Sequence, residues 1–161
     1  MRHIWTVLLA LTPIMATPAG ADVIGKVGTD WTGNDIVIEA INDPDVDGVT
    51  CYLSYFSRSI IDRLSQGNWF EDPSNSAISC RQTGPIRVGD INLDQNGEDI
   101  FTGSRSLIFK KLAVRRIYDR ENNTLVYLSH TRQVQQGSAK MDMSTIPLFE
   151  GQVTWANGLP Q

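Results

Sequence analysis

The segment Asp43-Pro44-Asp45-Val46-Asp47-Gly48 sets carboxylates at alternate positions ahead of a glycine. This is the opening of a calcium loop, in which oxygen ligands converge on a hard cation and glycine permits the sharp turn. The closing ligand is missing, because an EF-hand loop begun at Asp43 requires a bidentate Glu where Ser54 stands. A polar turn with self-capping Asp side chains is the competing reading, and the one preferred here. A second oxygen-rich stretch, Asp90, Asn92, Asp94, Asn96, Glu98 and Asp99, also lacks its closing position. Beyond this calcium option on Asp43, Asp45 and Asp47, no cofactor is expected.

Positive charge gathers in Lys110, Lys111, Arg115, Arg116 and Arg120. Clustered cations suit an anion or an acidic polymer. On a strand, however, alternation sends Lys110 and Arg116 to one face and Lys111 and Arg115 to the other. The competing reading is an edge hairpin kept soluble by its charges. His130 follows a strand-like run with no nucleophile motif beside it, so it reads as a surface or hairpin-end imidazole. Trp31, Trp69 and Trp155 are candidates for a sugar or peptide groove, although aromatics in a small β domain more often build the core. No pair of carboxylates is singled out for glycoside hydrolysis.

Two cysteines remain, Cys51 and Cys80, and their chemistry depends on compartment. Arg2 and His3 precede the apolar run Ile4 to Met15, and small residues end in Ala19-Gly20-Ala21. That is the layout of a secretory signal peptide, with cleavage expected between Ala21 and Asp22. The apolar run is shorter than the roughly 18 to 20 residues that span a bilayer. Residues 1–21 are therefore assigned as a cleaved signal and 22–161 as one domain, about 140 residues long and large enough for a single core. An exported chain with two thiols has one internal pairing, a structural disulfide between Cys51 and Cys80. The net charge of −4 over the whole chain speaks against nucleic-acid binding and against an anionic membrane surface.

The elements that must position these groups read mostly as strands. Val23–Val27, Asp35–Ile41, Val49–Tyr55, a short Ala77–Arg81 ending before Gly84-Pro85, Leu107–Tyr118 and Thr124–Ser129 are β-rich, and the last two form the clearest hairpin. Ile60, Ile61 and Leu64 at helical spacing predict a short helix over Ser57–Ser65. Asp90–Gly97 is a loop, and Gln152–Trp155 a candidate edge strand in a less regular tail. The expected fold is mainly β, an antiparallel sandwich or partly open barrel with one or two short helices.

The runs Asp43-Pro44-Asp45-Val46, Val49-Thr50-Cys51-Tyr52, Ala77-Ile78-Ser79-Cys80-Arg81-Gln82 and Gly84-Pro85-Ile86 resemble the CreA family of exported bacterial proteins. The resemblance continues through Ser106–Lys110, Tyr118-Asp119, Leu125–Leu128, Gly137-Ser138 and Ile146-Pro147, about residues 23–148. It implies a small periplasmic protein of Gram-negative bacteria, and carries no catalytic residue, substrate or cofactor. The family's Gly-rich stretch between the cysteines is replaced here by Ser57–Leu64, a better helix former. Asp47 has no counterpart in the family, and Phe149–Gln161 lies largely beyond the resemblance. The function expected is a non-enzymatic periplasmic binding or interaction module for a peptide, small ligand or envelope protein. The alternatives are an envelope hydrolase using carboxylates, or a structural homo-oligomer.

Overall fold

The computed structural model describes residues 21–29, 31, 34–57, 76–101, 112–132 and 141–160. Among them are nine strands and no helix: β1 (Ala21–Gly28), β2 (Asp35–Asn42), β3 (Val46–Ser57), β4 (Ala77–Val88), β5 (Glu98–Asp99), β6 (Leu112–Asp119), β7 (Thr124–Thr131), β8 (Met141–Pro147) and β9 (Val153–Trp155). They form a five-stranded sheet, β1-β2-β3-β4-β9, and a four-stranded sheet, β5-β6-β7-β8. The predicted helix over Ser57–Ser65 falls, beyond Ser57, outside the described residues, as do Trp69, Lys110 and Lys111. Ala21 and Asp22, the expected processing junction, open β1.

The sheets pack face to face, as a sandwich. Ile41, Leu53 and Val88 of one sheet share a core with Leu112, Val114 and Leu125 of the other. Alternation accounts for this, since β7 buries Leu125, Tyr127 and Ser129 and turns the intervening residues outward. Cys51 and Cys80 stand directly opposite each other on β3 and β4. They form the expected disulfide, with a Cα separation of 3.9 Å.

Two strand expectations need correction. The pairing is not wholly antiparallel, because β9 runs parallel to β4. β4 also does not stop before Gly84-Pro85. The β3–β4 register jumps from Asp47↔Arg87 to Val49↔Gln82, so Pro85 lies in a bulge where its missing N–H interrupts no ladder. Gly48 faces that bulge at φ 78°, and a Cβ there would collide with the Pro85 carbonyl.

β8 was not anticipated, and its side chains explain why. Its inward positions are Asp142, Ser144 and Ile146, while Met141 and Met143 face solvent. The polar pair has partners: Ile78 N–H donates to Asp142 Oδ2 at 2.7 Å and Cys80 N–H to Ser144 Oγ at 2.8 Å. Side chains of one sheet thus satisfy the open edge of β4 above the stretch that β9 covers, which closes the sandwich along that seam.

Candidate functional site

The acidic and basic stretches meet inside the protein. Asp43 lies in the β2–β3 turn, where its Oδ1 accepts the N–H groups of Asp45 at 3.0 Å and Val46 at 3.1 Å. Such self-capping orients the carboxylate toward the opposite sheet. There Arg116 Nη1 donates to Oδ1, and Tyr127 Oη donates to Oδ2 at 2.7 Å. Arg116 Nη2 reaches Asp45 Oδ2 at 3.1 Å and Glu98 Oε1 at 2.5 Å. The side chains of Arg116 and Asp43 are 1% and 0% exposed.

The electrostatics follow from burial and charge. Desolvation alone would disfavour the Arg116 cation, but the Asp43 charge and the hydrogen bonds to Glu98, Asp43 and Asp45 hold its pKa above the ordinary value. Burial pushes Glu98 upward, but the Asn92 N–H and Arg116 outweigh it and leave the carboxyl below its usual range. Tyr127 is raised by burial, then by the Asp43 charge and hydrogen bond, so its phenol stays protonated.

This arrangement places the residues predicted for calcium and, of those predicted for anions, Arg115 and Arg116. Asp43 and Asp45 converge, but on a guanidinium, while Asp47 lies exposed on β3 opposite Arg87. Among the described residues, no group of three or more His, Cys, Asp or Glu side chains is disposed to hold a metal ion. Arg115 and Arg116 take opposite faces, as alternation requires. Arg116 is enclosed by carboxylates, and Arg115 Nε binds Asp99 Oδ1 at 2.8 Å, with Arg132 on the other Asp99 oxygen at 3.1 Å. The second acidic stretch also caps itself, since Glu98 Oε1 accepts the Asn92 N–H at 2.7 Å.

An open groove lies elsewhere, where the β6–β7 turn meets the C-terminal segment. Asn123 organises it: Tyr118 Oη donates to Asn123 Oδ1 at 3.0 Å, and Asn123 Nδ2 donates to the Leu148 carbonyl at 2.6 Å. Tyr118 also meets Trp155 edge to face, with centroids 5.4 Å apart. The groove encloses about 390 Å³ and is lined by residues including Leu148, Phe149, Val153, Trp155 and Leu159. Glu150 is the one titratable side chain among its lining residues. Phe149 and Leu159 remain 61% and 64% exposed.

Of the predicted groove aromatics, Trp155 lines this site and Trp31 projects into solvent, 97% exposed. Most of the lining lies in the less regular C-terminal tail, around the candidate edge strand Gln152–Trp155. Gly151 and Gly158, both at positive φ, were the available signals of a shaped turn between apolar residues. His130, the penultimate residue of β7, is half-buried, with its Nδ1 3.1 Å from the Thr131 carbonyl oxygen.

Comparison with known proteins adds a family. The family model described as "CreA protein" matches residues 24–151. The curated Protein CreA of Escherichia coli strain K12 is 42% identical over 150 residues, covering 88% of this chain and 94% of that protein. The Protein CreA of Escherichia coli O157:H7 matches at the same identity and coverage. No solved structure matches. The chain belongs to the CreA family.

Proposed function

We propose that this protein is an exported, non-enzymatic binding module that takes an apolar or aromatic peptide segment, free or part of an envelope protein, in the groove beside Trp155. One observation carries this reading: a cavity of about 390 Å³ rimmed by exposed Phe149 and Leu159. Its volume falls within the range of ligand sites, and its mixture of apolar walls with few polar groups suits recognition better than proton transfer. The reading is further supported by the charged constellation, whose carboxylates are committed to Arg116. Export rests on the amino-terminal pattern, and the disulfide is consistent with it.

Panning a random peptide library against the oxidised protein tests the proposal. Enriched peptides carry aromatic or branched apolar residues, and they lose binding to a Phe149→Ser/Leu159→Ser variant that keeps the parental melting temperature. Failure to enrich any peptide, or equal binding to the variant, contradicts it.

A further inference from the structure

The outward face of β8 carries a second chemistry. His130 of β7 is directly opposite Met141 of β8, and Met143 lies two residues further along the same face. Both methionines are largely exposed, at 70% and 60%. On the inward side of β8, Asp142 and Ser144 serve the seam with β4 and Ile146 joins the core, whereas these thioethers face away from it. Beyond residue 15, Met141 and Met143 are the only methionines of the chain, and His130 is its only histidine after His3. All three donors therefore stand at neighbouring ladder positions on one face of one sheet.

The imidazole is set up as a ligand. A carbonyl oxygen can only accept, so the His130 Nδ1 contact with Thr131 O is a donated N–H, and in the neutral imidazole the lone pair then sits on Nε2. Such a backbone bond is the usual way a ligating histidine is fixed in tautomer and orientation. Cβ atoms of directly opposed residues lie about 5 Å apart and diagonal ones about 7 Å, within reach of two flexible thioether arms.

We propose that Met141 Sδ, Met143 Sδ and His130 Nε2 form a surface site for a soft monovalent cation, Cu(I). Two thioethers and a neutral imidazole select a soft d10 ion over hard divalent cations, which want carboxylate or carbonyl oxygen. The site lies at the opposite end of the β7–β8 ladder from the groove, about 20 Å along the strands. It does not depend on the binding role proposed above.

Ag(I), the redox-inert analogue, is the direct probe, added to tag-free, disulfide-intact protein in chloride-free buffer. Methyl-detected NMR is expected to shift both methionine methyl signals together and saturate at one Ag(I) per chain. Bicinchoninate competition under anaerobic conditions should show the same stoichiometry for Cu(I). Met141→Leu/Met143→Leu abolishes binding, and His130→Gln weakens it by roughly tenfold or more. All three positions lie on the outward face, so the melting temperature of the metal-free variants serves as the folding control. Absence of saturable binding, or full binding by the double leucine variant, overturns the site. Unchanged affinity in His130→Gln overturns its three-donor form.

Discussion

Asp43 and Arg116, 73 positions apart in the chain, bind each other across the interior and fasten the β2–β3 turn to the middle of the second sheet. The guanidinium occupies the place toward which a calcium loop would gather its oxygens. Melting curves recorded with added calcium and with EDTA are therefore expected to coincide. A calcium-dependent rise in midpoint that disappears in Asp47→Asn would contradict this assignment.

Glu98 of the same cluster contributes to the acid limb of stability. Glu98 has a lowered native pKa, so its contribution is complete above the ordinary value of 4.5. It is lost as pH falls below that value and through the native one. Urea midpoints measured downward from pH 7 should decline in that window, and Glu98→Gln should flatten the decline. Tyr127 acts at the other limb: its raised pKa means that stability is complete below 10.0 and is lost as pH climbs above it. Tyr127→Phe should remove that alkaline loss, and identical alkaline limbs in both proteins would count against the buried phenol.

The seam between β8 and β4 makes a separate demand. Asp142→Ala leaves the Ile78 N–H without its acceptor, and Ser144→Ala does the same to Cys80, each at a cost of about 1–3 kcal/mol. Hydrogen exchange should accelerate at the Ile78 and Cys80 amides while amides in the β2–β3 ladder keep their protection. Unchanged exchange at those two amides would show that the side chains are not their partners.

The disulfide closes a separation of 29 residues, for which loop-closure entropy gives about 3.5 kcal/mol. A Cys51→Ala/Cys80→Ala variant should lose that order of stability in urea titration. A loss near zero would mean that the unfolded chain without the bond already holds these two segments together through residual structure.

These relationships differ in how far the chain itself announces them. The cysteine pair was legible because two thiols admit one internal partnership. The β6–β7 hairpin was legible because two β-rich runs, Leu107–Tyr118 and Thr124–Ser129, flank the polar turn Asp119–Asn123. β8 was not, because Asp142 and Ser144 occupy inward positions and invert the usual pattern, a choice that makes sense only once the open edge of β4 is beside them. Gly84-Pro85 resembled a strand end because the bulge that accommodates the proline is created by Gly48 on another strand. The acidic stretches and the basic hairpin were read as separate features, since local sequence does not reveal that Asp43, Glu98 and Arg116 are partners. The groove was hidden for a similar reason: Asn123 and Trp155 become neighbours only when β9 joins β4 and the tail folds back over the β6–β7 turn.

The central claim is that the charged constellation is an internal fastening and that recognition belongs to surfaces elsewhere. A double-mutant cycle with Asp43→Asn and Arg116→Met, followed by urea unfolding, tests it most directly. Each single variant strands a buried partner and should cost about 3–5 kcal/mol. The double variant should recover part of that loss, giving a coupling energy of about 2 kcal/mol or more. Additive losses with no coupling would contradict the account.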